Sequence, residues 1–285
     1  MWPSILRRLE VPGGVADRSS LTMAERTRYA ALALQATRAI EEQGFTYVPD
    51  LLSASELKEA EELLYDLYGR FGELCSLEGK YRGWAFDSTD IALSCGAIAQ
   101  PELLNATRLE PRLRGTAVFE KLCEFAAMLG LNRFCFDHAL LKTPGGAART
   151  PWHQDAQYVE PRFRGRPVQH PGLRFWIPFR DATVSNGCME YVPGSHRDGL
   201  IPHEGFQRGG SQQGWKVSLP EDRSSVVCPI RAGGIAIHTP LTLHGTGMNE
   251  SSHPRLAWIL SFDRISTGQA VKQGLLARLR GERRM

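Results

Sequence analysis

The spacing of apolar residues along the chain changes near residue 130. Before that point the pattern is helical. Thr22 followed by Glu25 has the form of a capping box, and it opens an Ala/Leu-rich stretch that runs to Gln43 and stops at Gly44. Phe45–Val48 is a short apolar piece that predicts a strand. Ser53 with Glu56 forms a second capping box, after which Leu57, Leu63, Leu64, Leu67 and Phe71 recur at near-helical spacing. A third helix is predicted over Thr116–Leu129, closing at Gly130, while residues 75–110 carry mixed signals. From Arg133 onward short apolar or alternating runs take over: Phe134–Leu141, Leu173–Pro178, Met189–Val192, Val226–Ile230, Gly234–His238 and Leu256–Phe262. Turn formers such as Asn186-Gly187, Pro193-Gly194 and Gly233-Gly234 separate them, the pattern of an antiparallel sandwich or barrel.

These elements predict one domain over residues 21–265, with a helical layer (21–130) packed on a β-rich core (131–265). An N-terminal arm (1–20) precedes it and a basic tail (266–285) follows. Composition agrees: 285 residues, 42% hydrophobic and 23% charged, describe an ordinary globular chain and exclude a disordered polymer, a fibre or a coiled coil. No apolar run approaches the length of a membrane span, and the N-terminus lacks the apolar core of a secretory signal. The net charge of +3 is carried by the tail, where Lys272, Arg278, Arg280, Arg283 and Arg284 face only Glu282. A near-neutral body argues against a nucleic-acid binder. Six cysteines without a CxxC pair read as free thiols, and the cytoplasm is the expected compartment.

The candidate chemistry begins at His153 and Asp155. In an extended chain, residues two apart point to the same face, which aims one imidazole and one carboxylate together. A third ligand is available at His244, and two histidines with one carboxylate leave three octahedral positions open, as in non-haem Fe(II) oxygenases. His238, six residues earlier, is a competing ligand that fits less well. Arg255 begins the apolar run Leu256–Phe262, where an unpaired guanidinium is costly. Either the carboxylate of a cosubstrate or an internal salt bridge would satisfy it.

Several pieces in order are more specific than any one of them. Gly44–Ser53, Trp152–Asp155, Asn186–His196, His244-Gly245-Thr246 and Pro254-Arg255 together resemble the phytanoyl-CoA hydroxylase (PhyH) family of Fe(II)- and 2-oxoglutarate-dependent dioxygenases. The resemblance implies a mainly β fold with α elements, a double-stranded β-helix (a cupin-like jelly roll) flanked by N-terminal helices. It also implies that His153, Asp155 and His244 hold iron, and that Arg255 and Thr246 bind the distal carboxylate of 2-oxoglutarate. Family members place polar cosubstrate contacts on the strand before the metal motif, here Phe136–Lys142, where His138 and Lys142 share a parity. A strand-end lysine facing water is the plainer expectation for Lys142. The activity implied is hydroxylation of a C–H bond of a small molecule, a specialised metabolite, with O2 consumed and succinate and CO2 released. Desaturation, epimerisation, ring rearrangement or a non-catalytic metal- or ligand-binding barrel are the alternatives. The carboxylate at Asp155 argues against halogenation, because halogenating relatives lack it.

Tyr158, Trp176 and Trp84 are candidate substrate walls by residue type, with an ordinary core position the alternative for Trp176. The stretch carrying Arg162, Arg164, Arg166 and Arg174 is basic enough to attract an anionic substrate. His196 is expected to fix a loop rather than bind metal.

Overall fold

The computed structural model describes residues 21–89, 99–145, 149–159, 172–208, 213–219 and 221–264. The arm 1–20, the tail beyond residue 264, and Arg162, Arg164, Arg166 and His170 lie outside the described residues.

In chain order the helices are α1 (Met23–Gln43), α2 (Ala54–Gly69), α3 (Phe71–Cys75), α4 (Ala106–Leu109), α5 (Ala117–Met128) and α6 (Ala156–Val159). The strands are β1 (Phe45–Val48), β2 (Ala85–Asp87), β3 (Pro101–Leu104), β4 (Arg133–Lys142), β5 (Thr150–His153), β6 (Leu173–Pro178), β7 (Met189–Tyr191), β8 (Glu204–Gln207), β9 (Gln213–Lys216), β10 (Val226–Cys228), β11 (Ile235–His238), β12 (His244–Thr246) and β13 (Arg255–Asp263). A seven-stranded sheet of order β1-β11-β6-β13-β4-β3-β2 faces a four-stranded sheet of order β10-β7-β12-β5, and β8 and β9 form a separate hairpin. Every pairing is antiparallel. This is the jelly roll expected. The stretch read as a helical layer, 21–130, also supplies β1, β2 and β3 to the larger sheet.

Both capping boxes are formed. The Thr22 and Ser53 hydroxyls accept from the Glu25 and Glu56 amides, and each glutamate reaches back to the cap amide at 2.8 Å. The second oxygens of these glutamates converge on Lys121 of α5, at 2.8 Å from Glu25 and 2.6 Å from Glu56. One buried cation thereby ties together the starts of α1 and α2. Helix α1 ends at Gly44, whose φ of 87° only glycine adopts freely. A Cβ there would also strike His196 and Thr242. His196 lies 3.3 Å from the Glu41 carbonyl, in the loop-fixing position expected of it.

The larger sheet is buried on both faces, so its strands read as continuous apolar runs. Phe175, Ile177, Ile235, Ile237, Leu256, Trp258 and Leu260 pack against the helices. The alternate residues Trp176, Ala236, Ala257 and Ile259 face the smaller sheet, alongside Met189 and Tyr191. By the same parity Arg255 and His238 point inward. Among the described residues no helix is long and apolar enough to cross a membrane.

Candidate active site

Between the sheets lies a cavity of about 740 Å³, with walls drawn from both. His153 and His244 are direct cross-strand partners on β5 and β12, with ring centres 4.3 Å apart. Gly245 permits this approach, since a Cβ there would stand 2.9 Å from the Thr150 carbonyl oxygen. Strand β5 ends at His153, so Asp155 reaches the site through a turn rather than along an extended strand. Gln154, fully buried, fixes that turn: its amide donates to the Gly199 and Leu241 carbonyls and accepts from the Ile201 amide. Asp155 Oδ1 then lies 3.6 Å from His153 Nε2 and 3.8 Å from His244 Nε2. One ligand atom from each of the three residues falls within 4.8 Å of the others.

Protons are placed by hydrogen-bond partners that can only accept. His153 Nδ1 lies 2.8 Å from the Pro151 carbonyl oxygen, and His244 Nδ1 2.8 Å from that of Thr242. Each Nδ1 therefore carries the hydrogen and each Nε2 presents a lone pair inward. Burial pushes the His244 imidazole well below its ordinary pKa, with the neighbouring histidines adding to the effect, so it is neutral as a ligand must be. Burial opposes the Asp155 charge, yet the carboxyl is held well below the usual range, with His238 Nε2 3.2 Å from Oδ2 as a hydrogen-bond donor. This donor set, two nitrogens and one hard oxygen, suits a divalent iron-like ion and leaves open positions.

Arg255 is 2% exposed, and its Nε and Nη1 have no hydrogen-bond partner. Among the described residues no carboxylate forms the internal salt bridge that sequence allowed. Burial brings its pKa down to about 10, which still leaves it charged at neutral pH. A buried cation with unmet donors in the cavity wall fits the carboxylate of a keto acid. Thr246 also lines the cavity, its hydroxyl donating to Thr150 at 2.9 Å.

The remaining candidates divide. Tyr158 and Trp176 line the cavity, Trp176 beneath the Arg255 guanidinium. His138 lines it too, with Nδ1 2.8 Å from the buried Glu102 carboxylate. Lys142 is 1% exposed, so it does not face water, and its Nζ donates to the Gly247 carbonyl. It is the direct cross-strand partner of Arg255, yet it is not among the described residues lining the cavity. Trp84 is not among them either; it packs edge-on against Tyr81 with ring centres 4.9 Å apart.

Sequence reasoning missed several residues of this wall. Glu102 also meets Arg208 at 3.5 Å, and Arg208 donates to the Tyr158 hydroxyl at 3.1 Å. Arg174, which the sequence offered as part of a basic stretch, lines the cavity 3.8 Å from Asp155 and 3.9 Å from Asp263. An acid inside the apolar run Pro101–Leu104 was the one local signal for Glu102.

A jelly roll whose two sheets enclose two imidazoles and a carboxylate, with an unpaired arginine alongside, defines the class of non-haem metal-binding β-helix proteins. Within that class, residues 40–257 match phytanoyl-CoA dioxygenase (PhyH), and the chain belongs to this family. It is 30% identical over 177 residues to a phytanoyl-CoA dioxygenase of Arabidopsis thaliana, a match covering 58% of this chain and 59% of that protein. Among solved structures it resembles EvdO2 of Micromonospora carbonacea var. aurantiaca, complexed with 2-oxoglutarate. The identity is 26%, the TM-score 0.62, and the match covers 81% of this chain and 90% of that one. The epimerase SnoN, in complex with Fe3+, alpha ketoglutarate and nogalamycin RO, shares the fold at 22% identity and TM-score 0.61, over 82% of this chain and 84% of its own.

Proposed function

We propose that this protein is an Fe(II)- and 2-oxoglutarate-dependent oxygenase that hydroxylates a C–H bond of a small specialised metabolite. The observation that carries the reading is Arg255: an unpaired buried guanidinium in the same cavity as the His153/Asp155/His244 set. Family membership and the 2-oxoglutarate held by EvdO2 support the same reading.

When bound, iron with 2-oxoglutarate and O2 supplies the oxidising power for the C–H bond, with succinate and CO2 as coproducts. The chain does the rest. His153 and His244 offer Nε2 lone pairs held by their Nδ1 hydrogen bonds, and Asp155 adds one oxygen. Arg255 grips the distal carboxylate of the keto acid, with the Trp176 ring centre 5.1 Å from its guanidinium carbon. Thr246, whose hydroxyl now donates to Thr150, is the second donor for that carboxylate. Phe86, Phe134, Phe136 and Tyr158 give the substrate chamber aromatic walls that exclude water, and its volume of about 740 Å³ suits a multi-ring metabolite beside the cosubstrate.

The test is consumption of 2-oxoglutarate with Fe(II). The purified protein should release succinate slowly alone and faster with a metabolite extract, and an oxygen-shifted mass identifies the substrate. Binding without succinate release would make it a carrier. A product of unshifted mass, or one lighter by two hydrogens, would replace hydroxylation with rearrangement or desaturation.

A further inference from the structure

A third buried imidazole stands beside the proposed iron ligands. His238, 2% exposed on β11, has Nε2 3.2 Å from Asp155 Oδ2 and Nδ1 3.2 Å from the Tyr191 hydroxyl. Its ring centre is 4.3 Å from that of His244. By distance alone it is a rival ligand; its partners decide otherwise. A carboxylate only accepts, so Nε2 of His238 carries a hydrogen and has no lone pair to offer a metal. Tyr191 is fully buried, and burial keeps its phenol protonated, so it donates to Nδ1. His153 and His244 have the opposite tautomer because their Nδ1 atoms face carbonyls. Three buried imidazoles of one type are thus sorted into two ligands and one donor by what lies behind each ring.

We infer that His238, held by Tyr191, is a positioning residue that occupies Asp155 Oδ2, with Arg174 Nε 3.8 Å from the same oxygen, and leaves Oδ1 alone to meet the metal. Oδ1 is the oxygen that faces both ligand histidines, at 3.6 and 3.8 Å. The chain of bonds crosses the cavity. Tyr191 sits on the smaller sheet, paired in register with His244, and its ring is stacked on Phe45 at 4.3 Å. His238 sits on the larger sheet, paired with Phe45 and Arg174. The carboxylate is therefore held against both sheets, and a one-oxygen contact leaves an extra position on the ion for cosubstrate.

This role rests on the iron reading, so the test separates the two. In the metal-free protein labelled with 15N-histidine, His238 should show the Nε2–H tautomer and His153 and His244 the Nδ1–H tautomer. Co(II) alone, titrated into parent and variants, should bind about 10- to 100-fold more weakly to His238→Leu, the usual effect of losing such a partner. His238→Gln, which keeps an N–H donor, should recover most of that loss. Tyr191→Phe removes a single oxygen and should weaken Co(II) while altering the His238 nitrogen resonances. An Nδ1–H tautomer at His238, or unchanged Co(II) affinity in His238→Leu and Tyr191→Phe, overturns the positioning role alone. A parent protein that binds no Co(II) overturns the iron reading and this role with it.

Discussion

The Arg255 guanidinium carbon lies 5.1 Å from the centre of the Trp176 ring, and both side chains are buried on the inner face of the larger sheet. The ring offers the guanidinium no hydrogen-bond acceptor, and Nε and Nη1 are unbonded. Donors therefore remain for a carboxylate, which a guanidinium can hold bidentately. Arg255→Ala should therefore raise the 2-oxoglutarate half-saturation by roughly 30-fold or more, the effect of removing one partner of a buried charge pair. Trp176→Leu should raise it by about 2- to 30-fold, the range of a desolvated cation–π contact. Arg255→Lys should not rescue, because an ammonium lacks the fork. Succinate release against 2-oxoglutarate concentration measures all three; unchanged curves would mean another anchor.

Asp155 is surrounded by His153, His238 and His244, with Arg174 at 3.8 Å. The turn is fixed by Gln154, which leaves the Asp155 carboxylate free for the proposed metal. Asp155→Ala should cut iron-dependent succinate release by about a thousandfold, the several kcal/mol a bound metal contributes, while the metal-free protein melts as before. Melting by circular dichroism beside the turnover assay separates the effects. Full activity in a folded Asp155→Ala protein would remove iron from the account.

What was legible in the sequence was local. The capping boxes at Thr22 and Ser53, the glycine stop at Gly44 and the strand Leu173–Pro178 are written in neighbouring residues, and each stands where periodicity put it. The cluster of His153, Asp155 and His244 was legible because the first two are close in sequence and His244-Gly245-Thr246 is compact. Partners distant in sequence were not. Nothing near Lys121 announces two glutamates from other helices, and nothing near Glu102 announces Arg208, 106 residues away. The hairpin β8–β9 escaped because Glu204–Gln207 and Gln213–Lys216 lack apolar alternation. Their pairing rests on backbone hydrogen bonds and on Phe206 lying against Gly214.

Glu102 joins three elements at the cavity wall: His138 on β4, Arg208 beyond the end of β8, and through Arg208 the Tyr158 hydroxyl on α6. Burial opposes its charge, but the His138 hydrogen bond and the Arg208 guanidinium prevail and keep it ionised at neutral pH. His138 Nδ1 is committed to Glu102, and we propose that His138 shapes the substrate chamber rather than gripping the cosubstrate. Glu102→Ala should thus leave the 2-oxoglutarate half-saturation within about threefold of the parent, as expected when no ground-state contact to that ligand is lost. Product formed per succinate released should fall by roughly tenfold, the scale of one charged hydrogen bond. The ratio of product to succinate is the readout, and a rise in 2-oxoglutarate requirement at constant ratio would return His138 to the cosubstrate.

Acid stability depends on a different cluster. The hydrogen bond from Lys121, with those from Thr22, holds the Glu25 carboxyl down at about 2, against an ordinary 4.5. Glu56 is likewise lowered: burial opposes its charge, but bonds to Lys121 and Ser53 outweigh it. A carboxyl whose folded pKa is depressed stabilises the protein above its unfolded pKa and loses that contribution as pH falls through the folded value. For Glu25 the loss falls between about pH 4.5 and pH 2. Glu25→Gln should lower the melting temperature at pH 7 and flatten its decline across that window, because the variant has no proton to take up there. Lys121→Met should do more, since it leaves both glutamates without their cation and also opens the junction of α1, α2 and α5. Melting temperatures of the three proteins at half-unit steps from pH 2 to 7 provide the comparison. Parallel curves for parent and Glu25→Gln would mean that the lysine holds the helices by its charge on Glu56 alone.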